Sequence, residues 1–177
     1  GRIINEKHFN RLLNILESDK ESLLYGGEYD EEEKYIAPSI IEVKDWNSAC
    51  MKEEIFGPIL PIMSYRDLNQ VINDINKQPK PLALYLFTSD KRVEKKVLNE
   101  ISSGGVSIND TILHLANSNL PFGGVGNAGM GAYHGEESFR TFSHRKSVLK
   151  KSRVLNTTLM YPPYSDKKLM VIKRFLK

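Results

Sequence analysis

The sequence is poor in cysteine and histidine and has no long apolar run, and each shortage removes a class of protein. Cys50 is its only cysteine, which excludes an internal disulfide framework and suits a reducing compartment. One cysteine and four scattered histidines cannot build a thiolate zinc site, so we expect no metal centre. The apolar runs at 58–63 and 81–87 are far shorter than the ~20 residues of a transmembrane helix. We therefore expect neither a membrane-spanning protein nor a disulfide-rich or zinc-finger protein.

What the chain does contain is ordinary for a globular protein. Hydrophobic residues make up 40% and charged residues 27% of its 177 residues, enough for one sizeable core. No positively charged start leads into an apolar stretch, so we expect no secretory signal. With the single cysteine, this predicts a cytoplasmic location.

Charge is divided unevenly along the chain. Residues 1–139 carry 14 Lys/Arg and 21 Asp/Glu, a net −7, whereas residues 140–177 carry 11 Lys/Arg and Asp166 alone, a net +10. Such a basic tail can bind nucleic acid or a membrane surface. Because no nucleic-acid-binding module surrounds it, we favour a solvated arm that packs on an acidic body, its own or a partner's. We expect no nucleic-acid partner.

Hydrophobic periodicity predicts alternating helices and strands. Phe9, Leu12, Leu13 and Leu16 fall at i, i+3, i+4 and i+7 and predict an amphipathic helix over 6–17. The pattern of residues 34–43 predicts one or two short strands around Pro38. The next elements are a strand at 59–65, a helix capped by Asp67, a strand at 82–88, a helix through 93–101 and a strand at 106–109. This β-α-β-α-β order with continuous apolar strands is typical of a parallel sheet covered by helices, so we predict an α/β fold.

A segment of 25 residues, 110–134, follows the last predicted strand and contains five of the twelve glycines. Long loops without secondary structure of their own are usually functional, and ligands gather beyond the carboxyl ends of parallel strands. Residues 109–133 are therefore predicted to form a site.

Within this loop, Gly124, Gly126 and Gly129 have the spacing of the dinucleotide fingerprint. The fingerprint also requires a strand before it, a helix after it and an acid about 20 residues further on, and no acid lies near position 149. We interpret the glycines instead as permitting tight backbone turns that hold Phe122 and Met130 against other groups.

Two further candidates have ordinary explanations. Cys50 has no neighbouring histidine or glycine-rich helix start that would lower its thiol pKa, so we expect a buried cysteine without a catalytic role. His134 precedes two carboxylates, Glu136 and Glu137, but no second histidine stands at metal-ligand spacing. We expect no metal there.

The segment 53–58, Glu-Glu-Ile-Phe-Gly-Pro, leaves two interpretations open. It is an exposed acidic turn with Phe56 in the core, or it presents a carboxylate and an aromatic ring together to a ligand. The carboxylate would accept hydroxyl groups and the ring would stack. Spacing alone does not choose between them.

Taken in order, these segments resemble the class 3 branch of the aldehyde dehydrogenase superfamily, the fatty and medium-chain enzymes. The matching segments cover nearly the whole chain: 1–5 (GRIIN), 35–38 (YIAP), 53–58 (EEIFGP), 80–85 (KPLALY), 103–106 (SGGV), 109–110 (ND), 120–126 (LPFGGVG), 129–135 (GMGAYHG), 138–139 (SF), 141–144 (TFSH) and 161–163 (YPP). Because so many segments occur in order and at the right spacing, the resemblance is a specific one.

The resemblance implies oxidation of an aliphatic or aromatic aldehyde to a carboxylic acid with NAD or NADP. In this family a cysteine thiolate attacks the aldehyde, the thiohemiacetal gives up a hydride to the nicotinamide, and a glutamate activates the water that hydrolyses the thioester. Thiolate attack divides one difficult oxidation into two easier steps, and the cofactor supplies the hydride chemistry.

The family's catalytic groups are missing from these 177 residues. Its nucleophile, in a Gly-Gln-x-Cys context, its general base and its Rossmann-like cofactor domain all lie upstream of Gly1, and Cys50 does not occupy a catalytic position. Because the chain also opens on Gly1 instead of Met, we predict the C-terminal part of the catalytic domain. This part contains no catalytic residue, and we expect it to be inactive alone.

The resemblance does assign binding roles. Glu54 is expected to accept hydrogen bonds from the nicotinamide ribose hydroxyls, and Phe56 to pack near that ribose and the ring. Asn109 is expected to support the loop through side-chain hydrogen bonds. The residues that resemble the apolar lining of the aldehyde tunnel are Ile112, Leu115, Ala116 and Phe122. Such a lining suits medium or long aldehydes, since each buried methylene contributes ~0.8 kcal/mol.

The resemblance also divides the chain into three parts. Residues 1–139 are the C-terminal part of the catalytic domain, 140–154 an oligomerisation arm strand and 155–177 a basic tail. The arm would add a strand to a partner's sheet and so satisfy an open edge, which implies a homodimer. An alternative for 169–177 is a short basic amphipathic helix resting on a membrane surface.

Two alternatives to the enzyme remain. One is a catalytically silent oligomerisation or binding module derived from it, and the other is a binder of anionic polymers through residues 140–177. We favour the enzyme because Glu54, Phe56, Asn109 and Phe122 are all in place.

Overall fold

The computed structural model describes residues 1–152 and 158–175. In these residues it contains six α-helices and seven short strands. The helices are α1 (Glu6–Ser18), α2 (Leu68–Asn76), α3 (Lys91–Glu100), α4 (Leu113–Ala116), α5 (Gly135–Thr141) and α6 (Asp166–Phe175). The strands are β1 (Leu23–Tyr25), β2 (Tyr29–Asp30), β3 (Tyr35–Ile36), β4 (Ser39–Glu42), β5 (Ile59–Ile62), β6 (Ala83–Leu86) and β7 (Gly105–Ile108). The chain divides into two units, Gly1–Lys80 with Thr88–Ser102, and Pro81–Phe87 with Ser103–Lys177.

The first unit is built around α1. The Asn5 side chain accepts a hydrogen bond from the His8 N–H at 2.9 Å and so caps the helix start. The apolar face of α1 packs on β3, β4, β5 and the segments beside them, and the buried residues of this core are Phe9, Leu12, Ile15, Leu16, Ile36, Ile41, Val43, Cys50 and Ile59. The predicted amphipathic helix is therefore confirmed.

Strand β4 is the centre of a three-stranded sheet in this unit. It pairs antiparallel with β1 and parallel with β5, with Ser39 opposite Ile59 and Glu42 opposite Ile62. Ser39 and Ile41 are both buried. The short strands predicted around Pro38 are confirmed as β3 and β4.

Two capped helices complete the first unit. The Asp67 carboxylate accepts from the Asn69 N–H at the start of α2, and Asp90 accepts from the Arg92 N–H at the start of α3. The Asn76 amide donates to the Glu100 carbonyl at 2.8 Å, which joins the ends of the two helices. Both predicted helices are confirmed.

The second unit contains the parallel pair β6 and β7. Ala83 lies opposite Gly105 and Leu86 opposite Ile108, and the Asn109 N–H continues the pairing by donating to the Leu86 carbonyl at 2.7 Å. The loop that follows is more ordered than we predicted from its sequence. It contains the single-turn helix α4 and a bridge between Phe122 and Tyr133.

The α/β class and the parallel pairing are confirmed, but the three strands of the predicted β-α-β-α-β sheet lie in two sheets. β5 pairs with β4, whereas β6 pairs with β7. The sequence shows which segments are strands, but it does not show which neighbour each one pairs with. Here β5 pairs with β4, the strand on which α1 packs, and Ile59 of β5 becomes part of the core of the first unit.

The predicted arm strand over 140–154 depends on pairing with a partner chain and stays a prediction. Arg140 and Thr141 end helix α5, and 144–152 form no strand. A strand needs a second strand to satisfy its backbone groups, and none is available to these residues within the part described. Residues 153 and 154 of the arm, and 155–157, 176 and 177 of the tail, lie outside the described residues. In the tail, the predicted helix over 169–177 corresponds to α6. No helix in the described ranges combines the length and hydropathy needed to cross a bilayer.

Candidate functional site

The segment 53–58 is held against helix α1 by one side chain. Arg11 Nη1 donates to Glu53 Oε1 at 2.8 Å and to the Glu54 carbonyl at 3.5 Å, while Nη2 donates to the Ile55 carbonyl. A guanidinium can form several such bonds at once because its donors lie in a rigid plane. Arg11 therefore fixes the backbone of this segment just before β5 begins.

The same contacts leave Glu54 and Phe56 facing outward. Within residues 1–152 and 158–175, no hydrogen bond or ion pair engages the exposed Glu54 carboxylate. Phe56 is 79% exposed and has a φ of +47°, a conformation that L-residues seldom adopt. The interpretation that places Phe56 in the core is therefore wrong, and the segment presents a carboxylate and a ring together.

Gly57 explains how the segment approaches α1 so closely. A Cβ at this position would lie 2.6 Å from the Leu12 methyl groups, nearer than real Cβ atoms approach. Leu12 is fully buried. The missing side chain at Gly57 thus lets the segment pack directly on the core of the first unit.

The loop of the second unit begins with two unusual backbone conformations. Asn109 has a φ of +56°, which asparagine tolerates, and Ile112 has a φ of +62°, which a β-branched residue rarely adopts. Ile112 is exposed, Leu115 half-buried and Ala116 exposed. These predicted tunnel residues lie on or next to α4, and the strained Ile112 backbone starts that helix.

Phe122 is fixed by backbone and ring contacts. Its N–H and carbonyl both pair with Tyr133 at 2.9 Å. Its ring centroid lies 5.9 Å from that of His114, 5.8 Å from Tyr133 and 6.1 Å from His134. Phe122 is half-buried as a result, with its position set from several sides.

The glycines after Phe122 have a structural explanation. A Cβ at Gly123 would collide with the Gly131 carbonyl, and one at Gly124 with the Ala128 carbonyl. The backbone of Gly123 and Gly124 therefore contacts the backbone of Gly131 and Ala128 where a side chain would not fit. The glycines serve this close packing, which supports our rejection of the dinucleotide fingerprint. The expectation for Met130 is wrong, because its side chain is 97% exposed and is not held against other groups.

Cys50 is buried in the first unit beside Asp19. Burial and the neighbouring Asp19 carboxylate raise the pKa of the Cys50 thiol from 9.0 to about 12. Burial alone would raise the pKa of Asp19, but hydrogen bonds from Cys50 and the Ala49 N–H outweigh it, and the Asp19 pKa is lowered. A thiol that keeps its proton is a poor nucleophile, so this environment does not activate Cys50 at neutral pH.

Each unit gathers part of the predicted site. Glu54 and Phe56 lie in the first unit, and the predicted loop and tunnel residues, Asn109, Ile112, Leu115, Ala116 and Phe122, lie in the second. Glu54 and Phe56 suit a cofactor that carries ribose hydroxyls and an aromatic ring. In the described part of the chain no group of three or more His, Cys, Asp or Glu side chains could hold a metal ion.

Sequence reasoning missed the residues that hold these groups in place. Arg11 lies on the polar face of α1, where it looks like any solvated cation, and its partners are 42 to 44 residues away. His114 lies between the predicted tunnel residues and contacts the rings of Tyr85 and Phe122. Nothing in the order of residues along the chain indicates these contacts.

Comparison with known proteins extends this description. The model of the aldehyde dehydrogenase family matches residues 1–148. A 4,4'-diaponeurosporen-aldehyde dehydrogenase of Staphylococcus aureus is 50% identical over 177 residues, which are 100% of this chain and 38% of that protein. A dimeric NADP-preferring aldehyde dehydrogenase of Mus musculus is 53% identical over 152 residues, 86% of this chain and 33% of that protein.

The fold is similar to a solved structure as well. The substrate-bound state of Staphylococcus aureus AldH superposes with a TM-score of 0.87 at 50% identity and covers 100% of this chain and 38% of its own. The chain thus spans less than two fifths of the length of these relatives.

Proposed function

This chain belongs to the aldehyde dehydrogenase family, and from that premise we propose that it forms the C-terminal part of an NAD(P)-dependent enzyme that oxidises aldehydes to carboxylic acids. The nucleophilic cysteine and the general base would come from the rest of that enzyme. The observation that carries the proposal is the paired outward presentation of Glu54 and Phe56 within a chain that matches the family over residues 1–148.

Glu54 and Phe56 are suited to the nicotinamide end of the cofactor. A free carboxylate accepts two hydroxyl hydrogen bonds, and such charge-assisted bonds are stronger than neutral ones. The Phe56 ring offers an apolar face beside it. When bound, NAD(P) supplies the hydride acceptor, and the matching mouse enzyme is named for an NADP preference. Glu54 would orient the ribose, and Phe56 would exclude water from it.

Residues of the second unit would bind the aldehyde. Ile112, Leu115, Ala116 and Phe122 supply apolar surface on and around α4. Asn109, which follows β7, would support the loop through its side chain. Apolar walls favour aldehydes with aliphatic or aromatic bodies because binding removes their hydrocarbon surface from water.

We also propose that the whole enzyme is a cytoplasmic homodimer in which residues 140–154 add a strand to the partner. Leu149 is 97% exposed, and Phe142 and Val148 are exposed too, although all three are apolar. Pairing with a second chain would give this segment a neighbouring strand and cover these side chains. The mouse relative is described as dimeric.

Activity of the separate parts tests the proposal. The 177-residue chain should produce no NAD(P)H from aldehydes, whereas a protein of the relatives' full length that carries this chain (the full-length enzyme) should do so. Turnover by the chain alone would contradict the proposal. An inactive full-length enzyme that is folded and binds NAD(P) would favour the silent binding module instead.

A matched pair of adjacent acids tests the role of Glu54. In the full-length enzyme, Glu54→Gln should slow hydride transfer in a single turnover by about ten- to hundredfold, because a charged hydrogen bond is lost, while aldehyde binding changes little. Glu53→Gln is the control, since its amide oxygen can still accept from Arg11 and the Arg11 bonds to the Glu54 and Ile55 carbonyls are unchanged. An unchanged single-turnover rate in Glu54→Gln would refute its cofactor role.

A further inference from the structure

His114 connects the loop of the second unit to its sheet. The imidazole centroid lies 5.8 Å from the Tyr85 ring, which is on β6, and 5.9 Å from the Phe122 ring. The His114 and Tyr85 rings meet edge to face at an interplanar angle of 72°, a favourable arrangement for aromatic groups. His114 thus lies between a strand that is fixed by its pairing and a loop residue that is not part of the sheet.

The structure makes room for this ring at Gly105. A Cβ on Gly105, in β7, would lie 2.9 Å from His114 Cδ2 and 3.1 Å from Nε2. His114 is itself the second residue of the short helix α4. The imidazole therefore rests directly on the backbone of β7.

The two nitrogens of His114 do not explain its position. Both are buried, and neither has a hydrogen-bond partner in residues 1–152 and 158–175. A buried nitrogen without a partner is destabilising, so polar bonding within this unit does not account for a histidine here. What the side chain contributes is a flat ring that fills the space between Tyr85, Gly105 and Phe122.

We propose that His114 is a positioning residue whose ring holds Phe122 in place and thereby sets the chain-length preference for the aldehyde. The inference rests on the proposed function, which places Phe122 in the aldehyde tunnel. Tyr133 and His134 also contact Phe122, but both belong to the segment that is bridged to it and can move with it. His114 links Phe122 to β6 and β7 as well.

Substitutions at His114 in the full-length enzyme test this. The measurement is the ratio of kcat/KM for decanal to that for propanal. His114→Ala should lower the ratio about three- to tenfold, less than loss of the Phe122 ring itself, mainly through the KM for decanal. His114→Phe should keep the ratio because it restores a ring without nitrogens. If both variants lower the ratio of kcat/KM for decanal to that for propanal, a nitrogen is required and the inference is overturned.

Gly105→Ala gives a second approach that leaves His114 unchanged. The added methyl group would push the imidazole from β7, so this variant should lower the ratio as His114→Ala does. In a His114→Ala background, Gly105→Ala should have little further effect, since the ring it displaces is gone. Additive effects of the two substitutions would overturn the inference.

Phe122→Ala separates the two proposals. If Phe122→Ala leaves the ratio unchanged, the tunnel assignment fails, and the role of His114 fails with it. If Phe122→Ala lowers the ratio but a folded His114→Ala variant does not, the tunnel assignment stands and the positioning role of His114 is overturned.

Discussion

Arg11 Nη1 donates to Glu53 Oε1 at 2.8 Å, and this pair decides which of two adjacent acids is free. Glu53 is turned back onto helix α1, so Glu54 is left to face outward with Phe56. The positive φ of Phe56 contributes to the same result because it turns the chain before β5. Arg11 thus makes the two neighbouring glutamates differ: Glu53 forms an ion pair with it, and Glu54 remains exposed.

Replacing Arg11 by lysine should loosen this segment. Lys keeps the charge but not the planar set of donors that reaches Glu53 and the carbonyls of Glu54 and Ile55 together. We expect Arg11→Lys to lower the free energy of unfolding by about 1–2 kcal/mol and to raise the KM for NAD(P) in the full-length enzyme. Thermal unfolding and steady-state kinetics are the measurements.

The control for Arg11→Lys is Lys7→Met. Lys7 is another cation of α1, and its side chain makes no hydrogen bond or ion pair within the described ranges. Lys7→Met should leave the free energy of unfolding and the KM for NAD(P) nearly unchanged. If Arg11→Lys leaves the KM for the cofactor at its original value, Arg11 serves only the stability of the first unit.

The sequence predicted the helices well because their burial is periodic. Phe9, Leu12 and Leu16 of α1 are all buried as predicted, although Ile15 takes the buried place that we expected for Leu13. One face of a helix can be read from spacing alone. The pairing of strands cannot be read from spacing, because the sequence of β5 is equally compatible with a place beside β4 or beside β6.

The sequence predicts candidate site residues, but it does not predict the residues that hold them in place. The resemblance predicts Glu54 and Phe122 as site residues, yet it does not indicate Arg11 and His114, whose side chains contact them from distant positions in the chain. The free energy of such contacts depends on three-dimensional proximity, and no local pattern in the sequence reports it. The exposed Met130 shows the same limit in reverse, because an apolar residue in a glycine-rich loop gives no sign of which way it faces.

The pKa of Cys50 predicts how stability depends on alkaline pH. Its pKa is 9.0 in the unfolded chain and about 12 in the fold. As the pH rises above 9, the unfolded thiol loses its proton while the folded thiol keeps it, so the unfolded state binds fewer protons and stability falls. This contribution is fully present below pH 9 and is lost progressively between pH 9 and about 12.

Urea unfolding of the wild type and of Cys50→Ala across this range measures the effect. The alanine variant should be less stable at pH 7, because a buried side chain is removed, but its stability should fall less steeply above pH 9. All other ionisable groups are common to both proteins, so the difference between the two curves isolates the thiol. Parallel curves would contradict the prediction.

Gly123→Ala should disrupt the loop that carries Phe122. Its new methyl group would collide with the Gly131 carbonyl, and moving backbone to relieve such a clash costs about 1–3 kcal/mol. Met130→Ala is the matched control, since that side chain is 97% exposed and its loss should change stability by less than about 0.5 kcal/mol. Equal melting temperatures for the two variants would show that the loop relaxes around the methyl group.

Phe122→Ala should change which aldehydes the full-length enzyme prefers. Removing the ring takes apolar surface from the wall that a long aldehyde would cover, whereas a short aldehyde does not depend on it. We expect kcat/KM for decanal to fall about ten- to hundredfold and that for propanal to fall less than about threefold. The measurement is the rate of NAD(P)H formation over a series of aldehydes of increasing length.

Phe139→Ala is the matched control for this substitution. Phe139 lies on α5 in the same unit and is 73% exposed, so its removal should affect neither aldehyde. Thermal unfolding of both variants shows whether the loop around Phe122 has stayed folded, because its backbone bonds to Tyr133 do not depend on the ring. If kcat/KM of a folded Phe122→Ala variant falls by the same factor for decanal and for propanal, Phe122 is a structural residue. Its ring then supports the loop without contacting the aldehyde.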